Sequence, residues 1–189
     1  MKNFINFRIA FFIAILFFSV NTQAQKAPFS YGKIDKEWLS MTSYDKDPEA
    51  EAVVIGDFGD ISFDYFNHKG FIVKFKRTLR VKIFNSKGFS AGDFKIELYQ
   101  KNAGTKEALV GLKGVTYNLE DGKVVKTELE KDNIFQEQER KNVISQNFSM
   151  PNLKEGSVYE LSYTLTSPFL FNLPHWAFQR GIPTELSEL

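Results

Sequence analysis

The chain alternates between apolar and polar positions over most of its length, and the clearest stretch is "FIVKFKRTLRVKIF". There Phe71, Val73, Phe75, Leu79, Val81 and Ile83 interleave with Lys74, Lys76, Thr78, Arg80 and Lys82. A period of two predicts an antiparallel strand with one face in the core and one in water. "ISFDYF" before it, from Ile61 to Phe66, alternates too, and Asn67 to Gly70 reads as the connecting hairpin loop. "GDFKIELYQ" repeats the pattern with Phe94, Ile96 and Leu98 on one face. "VTYNLEDGKVVKTEL" sets Asp121-Gly122 between two strand-like runs, a strong hairpin cue. "SVYELSYTLTSP" closes the series with Tyr159, Leu161, Tyr163 and Leu165 on one side.

Elsewhere the pattern is weaker. Asp35 reads as the N-cap of a short helix from Lys36 to Met41, and Asp47-Pro48 as a turn. Ala50 to Ile55 reads as a first strand, and "GDFGD", Gly56 to Asp60, as a turn after it. "NLKEG" reads as a turn before the last strand. Between Lys131 and Asn147 the periodicity fails, and Phe135 to Arg140 fits either a helical turn or a polar strand. About eight strands with turns every 8–12 residues predict a sandwich or barrel. The missing strand–helix alternation disfavours a parallel sheet. The expected fold is mostly β: an antiparallel β-sandwich-like module with a short N-terminal helix.

The N-terminus carries a different signal. Lys2 and Arg8 precede an uncharged apolar run of 12 residues, Ile9 to Val20, and small residues follow at Thr22 and Ala24. This is the form of a secretory signal peptide over 1–24, cut between Ala24 and Gln25, with the domain spanning 25–189. The run falls short of the roughly 20 residues of a membrane span, so no transmembrane segment is expected once the signal is removed. Taking Lys2 and Arg8 from the 24 basic residues leaves 22 against 23 acidic ones. That near-neutral balance gives no reason to expect nucleic acid. Aromatics make up 15%, led by 20 Phe, which suits a pleated core.

Zero cysteines exclude a disulfide, a thiolate nucleophile, a Cys-ligated metal and a lipoprotein anchor. The two histidines, His68 and His175, lack ligand spacing. Asp57, Asp60 and Asp64 are too few for a calcium loop and read as turn residues. No Gly-x-Ser-x-Gly elbow and no phosphate-binding glycine loop is present. No catalytic residue, cofactor or metal site is therefore expected. Lys74, Lys76, Arg80 and Lys82 form a basic stripe that reads as a solvated face, with an anionic partner as the other reading. Arg77 interrupts the apolar face; it is either a buried partner for a carboxylate or the mark of a bulge. Asn147 to Ser149 matches a glycosylation acceptor, relevant only to a eukaryotic source.

The most specific residues lie near the end. "TYNLEDGKVVKTEL", "MPNLKEGSVYELSYTLTSPFLFNLPHWAFQRGIPTELSE" and the earlier "DPEAEAVVIGDFG" resemble, in composition and order, a domain of unknown function. That domain stands at the N-terminus of secreted bacterial transglutaminase-like proteins. The resemblance covers Ser30 to Leu189, and Trp176-x-Phe178-Gln179 followed by Ile182-Pro183 is its most specific part. It implies a β-sandwich-like module ahead of a papain-like core carrying Cys, His and Asp, in proteins exported to the periplasm or cell envelope of Gram-negative bacteria. No such core is present here, so no catalytic role carries over, and the resemblance implies that the chain ends before the first domain is complete.

The expected role is accordingly non-catalytic: supporting a transglutaminase-like core or mediating protein interaction in the envelope. The expected partners are a downstream transglutaminase-like domain, an envelope protein or a glycan. Trp176, Phe178 and Gln179 are the candidate interaction surface. Phe169, Phe171, Trp176 and Phe178 either pack on the open end of the sandwich or stay partly exposed. Two alternatives stand beside this reading. One is a carbohydrate-binding sandwich stacking sugars on Trp176, Tyr163 or Trp38; the other is a small hydrolase with an unrecognised site.

Overall fold

The computed structural model describes residues 29–67, 70–171 and 173–189. The expected signal segment, its Ala24–Gln25 junction and His68 lie outside them. A short helix α1 (Lys36–Ser40) is followed by β1 (Ala52–Phe66), β2 (Gly70–Ile83), β3 (Asp93–Asn102), β4 (Thr105–Lys106), β5 (Ala108–Glu120) and β6 (Lys123–Glu128). Then come β7 (Phe135–Arg140), β8 (Val143–Ser149), β9 (Val158–Ser167) and β10 (Ser187–Glu188), with 3-10 turns at Ser86–Gly92 and Lys131–Asn133. They form a six-stranded sheet of order β10-β1-β2-β9-β5-β6 and a four-stranded sheet of order β4-β3-β8-β7. All pairings are antiparallel except β10 against β1. The mostly-β, sandwich-like architecture with one short helix is as the alternation predicts.

Both faces of the larger sheet are covered. Its inner face packs Phe75, Leu79 and Val81 of β2 and Tyr159, Leu161, Tyr163 and Leu165 of β9 against Leu98, Ile144 and Phe148 of the smaller sheet. Its outer face packs Val53, Ile55, Val115, Tyr117 and Val158 against Leu39 and Tyr44 of the N-terminal segment, with Tyr31, Ile34 and Trp38 at the rim. At about 25 cal/mol per Å² of apolar surface, both layers contribute to stability.

Several local expectations hold. The β5–β6 turn places Asp121 at φ 49° and Gly122 at φ 73°, the left-handed pair a tight hairpin needs. Tyr159, Leu161, Tyr163 and Leu165 are all buried. Helix α1 sits where expected, although the Asp35 side chain makes no capping bond. Phe135 to Arg140, open between helix and strand, is the edge strand β7.

Three expectations are corrected. First, the strand expected from Ala50 begins at Ala52, and Gly56 to Asp60 is no turn; it continues β1, with a register shift between Val54 and Gly56. Its glycines serve close approach. A Cβ on Gly56 would stand 2.5 Å from a Phe29 ring carbon, and one on Gly59 would stand 2.5 Å from Leu189 Cδ1. Second, only half of the basic stripe is solvated. Lys76 is exposed and Lys74 pairs with Asp64, but Arg80 and Lys82 are buried under the N-terminal segment. Third, Phe71 was expected on the core face, yet it and Tyr65 at the end of the β1–β2 hairpin remain largely exposed.

Candidate functional site

Where the inner face of the larger sheet is not covered by the smaller sheet, the C-terminal segment crosses it. Thr184 bridges to Val54 and β10 runs parallel to β1, so the chain end is stitched along the sheet's edge. Between this segment and β3 lies a cleft of about 840 Å³, within the range of ordinary ligand sites. The large sheet lines it with Phe75, Arg77, Tyr163 and Leu165; the C-terminal segment lines it with Trp176 and Arg180.

Arg77 is the charged residue that interrupts the apolar face of β2, and its partner is a carboxylate. Its Nε donates to Asp57 Oδ1 and its Nη2 to Asp57 Oδ2, each at 2.7 Å. Gly59 pairs with Arg77 in the β1–β2 register, and Asp57 lies two residues back on the same face. Arg180 of the C-terminal segment donates from Nη2 to the same Asp57 oxygen at 3.0 Å. Burial disfavours the charge on Arg77, but the hydrogen bonds and charge of Asp57 more than offset it and hold the guanidinium ionised. Two arginines therefore share one buried carboxylate, and the cluster keeps one excess positive charge.

The expected interaction residues fall around this cluster. Trp176 is half-buried: its ring meets Phe75 edge-on at 5.9 Å, the Arg77 guanidinium lies 5.6 Å from its centre, and its Nε1 donates to Ser187 Oγ at 3.2 Å. Phe178 leans on Trp176 and is 56% exposed, and Gln179 is exposed. Upstream, Phe169 is buried against Tyr99, whereas Phe171 is 80% exposed. Thus both expectations for the aromatic tail apply, to different residues. The proposed sugar platforms are less open. Tyr163 is buried in the core, Trp38 packs at the rim of the outer core and Trp176 is occupied as above.

The sequence pattern reads Asp57 as a turn residue and gives no signal for Arg180. Arg77 was the available signal, since a cation on a core face demands a carboxylate. Among the described residues, no group of three or more His, Cys, Asp or Glu is placed to hold a metal ion, and no helix is long and apolar enough to cross a membrane. His175 is exposed at the cleft rim.

No family model and no curated protein matches the chain. Among solved structures, it is similar to a Parabacteroides distasonis protein described as a "putative protease", at 15% identity and a TM-score of 0.47. That match covers 62% of this chain and 23% of the other, so the chain spans under a quarter of that protein's length.

Proposed function

We propose that this chain is an exported, non-catalytic module that supports a transglutaminase-like core, offering it an aromatic docking surface on the C-terminal segment. The observation that carries the reading is the exposure of Phe171 and Phe178 beside rings that hold them in place. Phe169 and Tyr99 contact Phe171, and Trp176 contacts Phe178. Aromatic anchors of limited freedom give interfaces much of their binding energy. The order of the sequence blocks, ending in Trp176-x-Phe178-Gln179, supports the transglutaminase-associated assignment. The absence of any cysteine supports a supporting rather than catalytic part.

The test is to raise antibodies against residues 29–189 and follow the native chain through fractions of cells that produce it. The expected result is an envelope-fraction species containing a Cys–His–Asp transglutaminase-like core, in the same polypeptide or in a complex that Phe171→Ser with Phe178→Ser disrupts. A cytosolic species with no such core would overturn the reading.

A further inference from the structure

The cleft has a feature that the docking role does not use. Asp93, Phe94, Lys95, Ile96 and Glu97 of β3 all line it. Consecutive strand residues point to opposite faces, so a cavity touched by all five runs along the strand's edge. That edge is open. On one side β3 pairs with β8 from Asp93 to Tyr99. On the other, β4 pairs only at Gln100 and Asn102, and Tyr99 exchanges bonds with Glu107. Among the described residues, no strand pairs with that second side between Asp93 and Leu98. Unpaired strand edges carry a row of backbone donors and acceptors that another strand can take up.

We propose that this cleft is a binding slot for an extended peptide from a partner protein, which adds to β3 as a strand in the lane that β4 leaves after two residues. Five residues of edge at about 3.3 Å each accommodate a peptide of roughly five residues. Alternate side chains of the peptide face Phe75, Tyr163 and Leu165, so they are apolar. Asp93, Glu97 and Glu107 also line the cleft, with Lys95 as their one added cation, so the cleft as a whole carries no positive surplus. The local Arg77–Asp57–Arg180 cluster does, and it favours an acidic side chain, Asp or Glu, directly next to Arg180, whose own side chain is 37% exposed. This site adjoins the aromatic docking surface through Trp176, which lines the cleft and meets Phe178. The strand edge it uses is a different feature, and it stands or falls whether or not a transglutaminase-like core is found.

The test begins with a library of random hexapeptides displayed at the N-terminus of a phage coat protein and panned on the purified chain. Enriched sequences are expected to alternate apolar residues and to carry one Asp or Glu. The best of them is then synthesised with alternate backbone nitrogens methylated, which leaves side chains intact but removes strand hydrogen bonds. Affinity should fall by at least about tenfold, the equivalent of one to two hydrogen bonds. Replacing its Asp or Glu by Asn or Gln, and separately Arg180→Ala in the protein, should each weaken binding by about tenfold or less. Amide hydrogen exchange gives the location: bound peptide should slow exchange within Asp93–Glu97. Panning without enrichment, affinity indifferent to N-methylation, or protection at Phe63, Tyr65 and Phe71 instead of β3 would each overturn the proposal. Enriched peptides with no acid would overturn the role given to Arg180.

Discussion

Strand β2 carries two arginine–carboxylate pairs three residues apart, on opposite faces of the same sheet, and they have different fates. Arg80 on the outer face is 2% exposed, and its partner Glu160 is fully buried. Arg80 Nε donates to Glu160 Oε1 at 2.9 Å, while Tyr117 Oη and the Gly32 backbone N–H donate to Oε2 at 2.8 and 2.7 Å. The Phe29 ring lies 4.0 Å from the guanidinium, closing the site. Arg77 on the inner face is 12% exposed, and its carboxylate is shared with Arg180 on the cleft wall. The sealed pair has its lone pairs satisfied and no spare charge; the open pair has a surplus cation next to solvent. Identical chemistry therefore gives a clamp on one face and a candidate binding element on the other, and the cover above each face decides which.

The sharpest way to break this comparison is to remove each carboxylate in turn. Glu160→Gln leaves Arg80 buried without a counter-charge and should cost about 3–5 kcal/mol, the usual cost of breaking a buried pair from one side. Urea denaturation measures it, and a loss under about 1 kcal/mol would show that the outer site is not sealed. Leu161→Ala, a buried apolar truncation on β9 next to Glu160, should cost about 2–5 kcal/mol and provides a scale free of charge effects. Asp57→Asn should cost less than Glu160→Gln, about 2–3 kcal/mol, because cleft water partly solvates Arg77 once its partner is gone. Equal losses at the two sites would erase the distinction between them.

The sequence showed which residues share a strand face far better than what lies over that face. Alternation in β2 and β9 is strict because one face supplies the apolar core against the smaller sheet while the other carries mostly polar residues, so the strands are legible. The same alternation assigned Arg80 and Lys82 to a solvated face, since a period of two cannot reveal that residues 29–47 fold back over it. Gly56 and Gly59 misled for a related reason: glycine marks both a turn and a close approach, and only Phe29 and Leu189, distant in sequence, tell them apart. Strand β7 is ambiguous in the sequence because an edge strand exposed on both faces shows no apolar period. At the candidate site, Arg77 was legible as an anomaly. Asp57 and Arg180 were not, because the bond between them spans 123 positions and comes from an irregular segment.

A smaller, pH-dependent effect marks the outer face through Lys82. Lys82, also under the outer cover, is fully buried and donates to two carbonyls, Leu39 O at 2.9 Å and Gly156 O at 2.7 Å. Burial pushes its ammonium down to about 8. From there up to the ordinary lysine value, the unfolded chain holds a proton that the folded chain has released. Stability therefore rises with pH across that window, by at most about 1.4 kcal/mol per pH unit. Tyrosines of both faces act in the opposite sense: burial and then Glu160 raise Tyr31 to about 12 and Tyr117 further still, and burial raises inner-face Tyr159 as well. The unfolded tyrosines ionise first, so their contribution is lost above about pH 10. Denaturation midpoints should thus peak near pH 10, and Lys82→Met should abolish the rise while leaving the fall. An unchanged rise in the variant would place its origin elsewhere.

The smallest expected effect on stability is the one that best isolates function. Arg180 is the more exposed of the two arginines on Asp57 and comes from the C-terminal segment rather than from a central strand. Arg180→Ala leaves the bidentate Arg77–Asp57 pair intact, so thermal stability should fall by under about 1 kcal/mol. Removing it also cancels the surplus positive charge and leaves the cleft cluster neutral, as the sealed Arg80–Glu160 pair already is. If the difference between the two faces lies in that surplus, this one substitution should convert the open site into the electrostatic equivalent of the closed one. Acidic peptide binding would weaken several-fold while the midpoint barely moved. A large stability loss would instead make Arg180 a fastener of the C-terminal segment, and the two pairs would then serve the same end.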